Sequence, residues 1–179
     1  MRNEDIEKAR NGDRDALNGL LESYKGLAYS IALKYVRQEA DAEDIVQEAF
    51  IKVFLHIRKF RNESAFSTWL FKIVYYESLR QLGKRKPAGE IREDNHSYEM
   101  QEGEGLAEKE KSTLIREAMR SLSENEYLVI HLFYLAEKTI REIEQITDQS
   151  KANIKVLLYR ARKKMADYFD KHRISKDLI

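Results

Sequence analysis

The sequence contains no cysteine among its 179 residues, and only one proline and seven glycines. Without cysteine there is no disulfide framework, no thiolate metal site and no thiol nucleophile, and a reducing compartment is the simplest location. We therefore expect a cytoplasmic protein. The scarcity of proline and glycine argues against a β-rich fold, because strands need turn residues every few positions.

Long hydrophobic runs and an excess of charge of one sign are also missing. No run of about 18 apolar residues occurs, and residues 1–8 lack the apolar segment of an export signal, so we expect neither membrane insertion nor secretion. The 32 basic residues are balanced by 31 acidic ones. This balance excludes a histone-like protein that binds nucleic acid through global positive charge, so any basic surface must be local.

Apolar residues spaced three and four positions apart predict an all-α fold of helices. A short opening helix ends before Asp13, which can cap a long helix with an apolar stripe over residues 17–35. Two more helices are predicted over 41–60, with Asp41 as its cap, and over 64–82. Three such stripes can close one hydrophobic core.

The apolar pattern stops near residue 87, and this break predicts two domains. Residues 88–110 carry eight acids, two bases and no apolar stripe, which is the composition of a solvated linker. We therefore predict two small helical domains, 1–86 and 112–179, joined by an acidic flexible linker over 87–111.

The second domain has the pattern of a helix-turn-helix. Ser123 with Glu126, and Thr139 with Glu142, are capping boxes that open two helices, the first running to about residue 135. A three-residue break then precedes a final helix over 151–170. A short helix, a tight turn and a longer basic helix predict a DNA-binding motif.

The final helix concentrates positive charge, with six bases and no acid over residues 151–165. This pattern predicts a recognition helix whose cations lie against phosphates while Lys155 and its neighbours reach base edges. The alternative is a solvated helix whose cations favour its own C-terminal dipole. The candidate DNA contacts are Lys151, Asn153, Lys155, Val156, Tyr159, Arg160, Arg162 and Lys163.

One outward face of the second helix mixes acidic and apolar side chains. An apolar strip rimmed by carboxylates is typical of a protein-docking surface. The alternative is contact with the first long helix or with a neighbouring loop. The face consists of Asp44, Gln47, Glu48, Ile51 and Leu55.

Aromatic and basic side chains alternate along the third helix, a pattern that suits single-stranded DNA because bases stack on rings and phosphates meet cations. Trp69 can equally belong to the core. Two adjacent tyrosines cannot both face inward, so at least one is available to a partner. The candidates are Trp69, Lys72, Tyr75, Tyr76, Arg80, Lys84 and Arg85.

Nothing in the sequence indicates catalysis. The four histidines show no metal-ligand spacing, and there is no glycine-rich phosphate loop and no Ser/His/Asp signature. We expect a binding protein without enzymatic activity, metal or cofactor.

Three segments in this order resemble a known family. Residues 41–50 (DAEDIVQEAF), 66–73 (FSTWLFKI) and 159–165 (YRARKKM) closely resemble the extracytoplasmic-function (ECF) sigma factors of bacterial RNA polymerase. The match runs through nearly the whole chain. It implies a sigma-2-like domain over 1–86 and a sigma-4-like domain over 112–179.

The resemblance also implies roles for the three helices. The second helix, with Asp41 added to its docking face, would bind the clamp helices of the polymerase largest subunit. The third, with the loop before it, would open the minus-10 element and hold it as a single strand, and the last would read the minus-35 element in the major groove. Implied partners are core RNA polymerase, through its clamp helices and flap region, and promoter DNA, with an anti-sigma factor or another DNA-targeting protein as a further candidate.

The DNA-reading positions depart from the family pattern. Tyr76 and Arg80 stand where the family usually has Asn and Asp, and Val156 and Leu157 stand where a polar residue and Arg are usual. Valine can contact a thymine methyl but cannot read a donor or acceptor. The sequence thus predicts a transcription initiation factor. The alternatives are a polymerase-docking adaptor or decoy whose promoter choice comes from another DNA-targeting partner, and an ordinary helix-turn-helix regulator.

Overall fold

The computed structural model describes residues 3–84 and 106–171, and every regular element in these two ranges is helical. The predicted all-α class is therefore confirmed. None of these helices is both long enough and apolar enough to cross a membrane. The helices are α1 (Asn3–Arg10), α2 (Arg14–Val36), α3 (Glu39–His56), α4 (Phe66–Lys84), α5 (Leu106–Arg120), α6 (Glu124–Ile130), α7 (Ile140–Thr147) and α8 (Lys151–Lys171).

The local start signals of three helices are as the sequence predicts. Asp13 accepts hydrogen bonds from the first two backbone amides available to it in α2, both at 3.0 Å. Ser123 and Thr139 open α6 and α7 with complete capping boxes. These bonds satisfy amide groups that have no partner inside the helix, so they fix where each helix begins.

The predicted cap of α3 is wrong. The helix begins at Glu39, with Gln38 at the cap position and no side-chain hydrogen bond there. Asp41 instead lies in the first turn, where its negative charge interacts favourably with the positive end of the helix dipole.

The first domain is built around α2, α3 and α4, which pack on one another, with α1 against α2. Phe60, between α3 and α4, stacks on Trp69 with ring centroids 5.0 Å apart. The buried stripes follow the predicted helical spacing except at Phe54 on α3, which is exposed. Among the fully buried side chains are Ile31, Val36, Val53, Leu70, Phe71 and Val74.

The second domain contains the predicted helix-turn-helix. Its α6 continues into a π-helical turn, His131–Leu135, so the predicted helix to residue 135 has two parts. Asp148, with φ at +53°, ends α7 and begins the tight turn into α8. The core of this domain contains Leu128, Leu132, Ile143, Ile146, Ile154, Leu158 and Ala161.

The predicted linker over 87–111 lies mainly outside the described residues. Its last part does not match the expectation, because α5 already begins at Leu106. The charged run after Leu106 consists of Ala, Glu and Lys, which are strong helix formers, whereas we interpreted it as a solvated linker from its charge and its lack of an apolar stripe.

The two domains pack directly on each other, which the sequence analysis did not predict. Helix α4 lies on α7, and α2 contacts α6. Most buried apolar side chains of both domains form one continuous cluster. At the edge of this junction Arg37 pairs with Glu124 at 2.9 Å.

A buried histidine lies in the junction. His131 is 2% exposed, and its Nε2 lies 3.0 Å from the hydroxyl of Ser30 on α2. Burial lowers the pKa of His131 from 6.5 to about 4, because the charged ring would lose its hydration there. The imidazole is therefore neutral in the folded protein at neutral pH.

This histidine should make stability depend on pH. Between pH 6.5 and about 4 the unfolded chain binds a proton at His131 that the folded chain does not, so stability falls as the pH falls through this window. We expect a loss of up to about 3 kcal/mol in the free energy of unfolding, measured by urea denaturation. His131→Gln should flatten the dependence, and equal slopes in the two proteins would contradict this account.

Candidate functional site

The predicted docking face on α3 is exposed. Asp44, Gln47, Glu48, Ile51 and Leu55 all point to solvent, and Leu55 is 63% exposed. The alternative, that α2 or a loop covers them, does not hold for the part of the chain that the structure describes. Asp41, which the resemblance adds to this face, is half-buried at its edge.

Phe54 enlarges the apolar part of this face. Its helical spacing indicates a core position, yet its ring is 49% exposed and lies under the guanidinium of Arg14, 5.8 Å away. Together with Ile51 and Leu55 it gives α3 three large apolar side chains in solvent. Adjacent exposed apolar groups bordered by carboxylates favour a protein partner.

A cleft of about 440 Å³ joins this face to α4. One wall comes from α3, and the other wall carries side chains of α4, two of which are predicted DNA contacts. The lining residues are Asp44, Ile45, Gln47, Glu48, Glu77, Arg80, Gln81 and Lys84.

A buried carboxylate organises the α4 wall of the cleft. Glu77 is 5% exposed and accepts hydrogen bonds from Lys52 and from Arg80, whose Nη2 lies 2.6 Å away. Although burial raises the pKa of Glu77, the hydrogen bonds from the two cations outweigh it and leave the pKa below its usual value. Glu77 therefore fixes the position of the Arg80 side chain, which is exposed to solvent. The sequence analysis missed Glu77 because an acid among apolar residues carries no pattern of its own.

The predicted minus-10 residues on α4 fall into different environments. Trp69 is half-buried between Phe60 and Phe66, so the core alternative holds for most of its ring. Tyr75 is buried against Tyr35, with ring centroids 6.0 Å apart. Tyr76 is 40% exposed, so one of the two adjacent tyrosines faces outward, as predicted. Lys84 and Arg80 are exposed, and Arg85 lies outside the described residues.

Lys72 and Tyr76 meet the second domain. The Lys72 ammonium lies 2.9 Å from one carboxylate oxygen of Asp148, and the Tyr76 hydroxyl donates to the other. This hydrogen bond raises the pKa of Tyr76 to about 12, and the two donors lower the pKa of Asp148. The sequence analysis assigned no role to Asp148.

The eight predicted contacts on α8 form one exposed surface. Ile154, Leu158 and Ala161 anchor the opposite side in the core, as predicted, so the basic side faces outward. Val156 and Tyr159 are 44% and 67% exposed. Leu157 is half-buried, which gives a structural reason for an apolar residue there. The exposed set is Lys151, Asn153, Lys155, Val156, Tyr159, Arg160, Arg162 and Lys163.

Two of the basic residues of α8 are held by neighbouring elements. Arg162 Nε donates to the hydroxyl of Tyr134 at 2.8 Å, and its guanidinium lies over the Tyr134 ring. Lys164 pairs with Glu126 at 2.6 Å. Tyr134 lies in the π turn, and helical periodicity cannot predict where such a turn directs its side chains.

Family comparisons match both domains. Residues 20–87 match the family described as sigma-70 region 2, and residues 112–165 match the family described as sigma-70 region 4. Two sigma-70 regions in this order define the class of RNA polymerase sigma factors.

Relatives with similarity across most of the chain narrow the class. The ECF RNA polymerase sigma-E factor of Haemophilus influenzae is 30% identical over 170 residues, covering 88% of this chain and 89% of the relative. The ECF RNA polymerase sigma factor SigW of Bacillus subtilis is 28% identical, covering 88% and 90%. The chain belongs to the ECF sigma factors: it is a non-enzymatic transcription initiation factor that directs RNA polymerase to promoters.

Solved structures have the same fold. CnrH, in complex with the cytosolic domain of CnrY, superposes with a TM-score of 0.65 at 18% identity, covering 93% of this chain and 96% of CnrH. The sigma factor RpoE of Bartonella quintana, in complex with the anti-sigma factor NepR, gives 0.58 at 18% identity, covering 86% and 97%. At this identity the likeness concerns the fold.

A substitution of Glu77 tests whether its contacts with Lys52 and Arg80 stabilise the α4 wall of the cleft. Glu77→Gln removes the charge that holds two cations in a largely buried place, and we expect the free energy of unfolding to fall by about 2 kcal/mol. Urea denaturation measures this. The matched control is Glu63→Gln, because Glu63 and Arg61 form an exposed pair at 3.8 Å, and it should change stability by less than about 0.5 kcal/mol. Equal effects of the two substitutions would contradict a structural role for Glu77.

Proposed function

We propose that the exposed face of α3 docks on core RNA polymerase, at the clamp helices of the largest subunit. The observation that carries this proposal is the exposure of Ile51, Phe54 and Leu55 beside Asp44 and Glu48. Apolar side chains provide buried area in such an interface, and the surrounding carboxylates select a basic partner. A helix that only met solvent would have no need of three large apolar residues.

The first domain, residues 1–86, also holds the opened minus-10 strand in this proposal. Lys72, Tyr76, Arg80 and Lys84 present cations and one aromatic ring along the outer side of α4. Stacking and phosphate contacts of this kind tolerate many base sequences. Arg85 belongs to the same proposal on sequence grounds. Trp69 and Tyr75 support the surface mainly from within.

The second domain, residues 112–179, contacts the minus-35 element through α8. Its exposed bases supply affinity for phosphates, while Val156 provides only an apolar contact for base edges. We expect strong salt dependence with modest sequence selectivity. Promoter choice then depends on the melted strand, or on another DNA-targeting partner.

Membership of the ECF sigma factors supports a proposed location and a further proposed partner. The proposed activity is cytoplasmic, because it requires core polymerase and promoter DNA. The solved relatives CnrH and RpoE are seen with CnrY and with the anti-sigma factor NepR, so an anti-sigma factor is a proposed partner of this chain too.

Charge reversal on α3 tests the docking proposal. In Asp44→Arg a cation replaces a carboxylate that would face basic groups of the polymerase, and we expect binding of the full chain to core polymerase to weaken by about 2 kcal/mol, or about 30-fold. Competition against a labelled wild-type chain measures the affinity.

The matched control for this experiment is Glu22→Arg. Glu22 is exposed on α2, a different helix from the one that carries the docking face, and the substitution changes the charge by the same amount. It should bind with nearly wild-type affinity. Unchanged affinity in Asp44→Arg would reject this face as the docking surface.

Two adjacent lysines test how α8 binds DNA. Lys163 lies at the centre of the exposed side, whereas Lys164 is paired with Glu126. Lys163→Gln should weaken binding to different duplexes about equally and flatten the slope of log affinity against log salt by roughly one unit. Lys164→Gln should leave that slope nearly unchanged. A loss confined to one duplex sequence would indicate base reading by Lys163 instead.

A further inference from the structure

Lys72 and Tyr76 converge on one anionic group. They lie one helical turn apart on α4, and each contacts a different oxygen of the Asp148 carboxylate, the Lys72 ammonium at 2.9 Å. The ammonium also lies 5.8 Å from the centre of the Tyr76 ring. A cation and a hydroxyl donor on neighbouring oxygens is equally the arrangement that binds a phosphate of a DNA backbone.

The anionic group that contacts Lys72 and Tyr76 is Asp148, which belongs to the turn of the helix-turn-helix. Asp148 ends α7 in the left-handed conformation, and its amide donates to the carbonyl of Glu144 at 2.9 Å, so the turn fixes where its side chain begins. The side chains of Lys72 and Asp148 are 40% and 58% exposed. The contact therefore lies at the open edge of the junction, where a strand of DNA can reach it.

Neighbouring contacts keep the turn against α4. The Lys138 ammonium donates to the hydroxyl of Ser67 at 2.5 Å, and the Thr68 hydroxyl donates to Glu142 at 3.0 Å. These contacts hold α7 and a residue shortly before it against α4, four and five residues before Lys72. Because they set the position of α7, the Asp148 carboxylate has a high local concentration at the two donors. An exposed ion pair of this kind is nevertheless weak enough to exchange.

We propose that Lys72 and Tyr76 form a binding site for one phosphate of a single DNA strand, and that Asp148 occupies this site as an internal competitor in the free chain. The proposal rests on the proposed minus-10 role of α4 and adds its regulation. Strand binding and Asp148 binding exclude each other, so the strand releases the turn from α4. By linkage, any partner that binds the second domain only when Asp148 is separated from α4 also makes the strand site available.

The first test removes the competitor. Asn suits the left-handed conformation of residue 148, so Asp148→Asn keeps the turn while removing the charge. We expect the full chain to bind a fluorescein-labelled, mixed-sequence single-stranded oligonucleotide about threefold to tenfold more tightly, measured by fluorescence anisotropy. Circular dichroism melting checks that the variant folds.

Glu137→Gln is the matched control. Glu137 is exposed in the same domain and also has a positive φ, +52°, so the substitution removes one negative charge in a similar backbone setting. A general gain of positive charge would tighten binding in both variants. Equally tighter binding by Glu137→Gln and Asp148→Asn would overturn the proposal that Asp148 competes with the strand.

Two further variants separate the competitor from the site. Lys72→Met and Tyr76→Phe, each made in the Asp148→Asn chain, should weaken binding of the oligonucleotide. If they weaken it while Asp148→Asn alone does not tighten it, the competitor is overturned and the DNA role of α4 stands. If neither weakens it, the phosphate site and the proposed role of this part of α4 fail together.

A distance measurement tests the release directly and does not depend on residue 148. The chain has no cysteine, so Asn18→Cys on α2 and Asp167→Cys on α8, both exposed, can carry a donor and an acceptor dye. Saturating oligonucleotide should lower the energy transfer between them. Unchanged transfer at saturation would show that the strand binds without displacing the turn, and would overturn the proposal.

Discussion

Each helix of this chain has only one way to become stable, which is to bury an apolar stripe against its neighbours. Short helices are marginal in water, and the chain has no cysteine with which to form a disulfide. The faces opposite the stripes are therefore left for partners. The exposed faces of α3 and α8 carry such different chemistry because packing leaves their composition unconstrained.

Sequence reasoning succeeded where the determining interactions are local. Ser123 and Thr139 cap their helices through residues three positions away, and the stripe of α8 places Arg162 and Lys163 outward by helical geometry alone. It failed at one local signal, the cap of α3, and where the partner is distant in the chain. The contact of Tyr76 with Asp148 joins residues 72 positions apart, and no spacing rule reaches that far.

The basic residues fall into two groups, which differ in whether an acidic partner holds them. Formal neutrality conceals a division between cations with a fixed acidic partner, such as Lys52 with Glu77 and Lys164 with Glu126, and exposed cations such as Lys155 and Lys163. The paired cations hold the domains in shape. The exposed ones can interact with a polyanion, so a chain with a net charge of +1 still has a basic face.

The π turn at His131–Leu135 has a consequence for how this sequence can change. Such a turn accommodates one residue more than a regular helix, as the bond from the Ala136 amide to the His131 carbonyl, five residues back, indicates. Deleting a single residue here would convert the turn to regular α-helix and leave the segments before and after it nearly in their present orientation, so only side chains within the turn, Tyr134 among them, would be redirected. The hydroxyl that holds Arg162 would then point elsewhere. Substitutions at this turn are compatible with the recognition surface, whereas a change in its length is not.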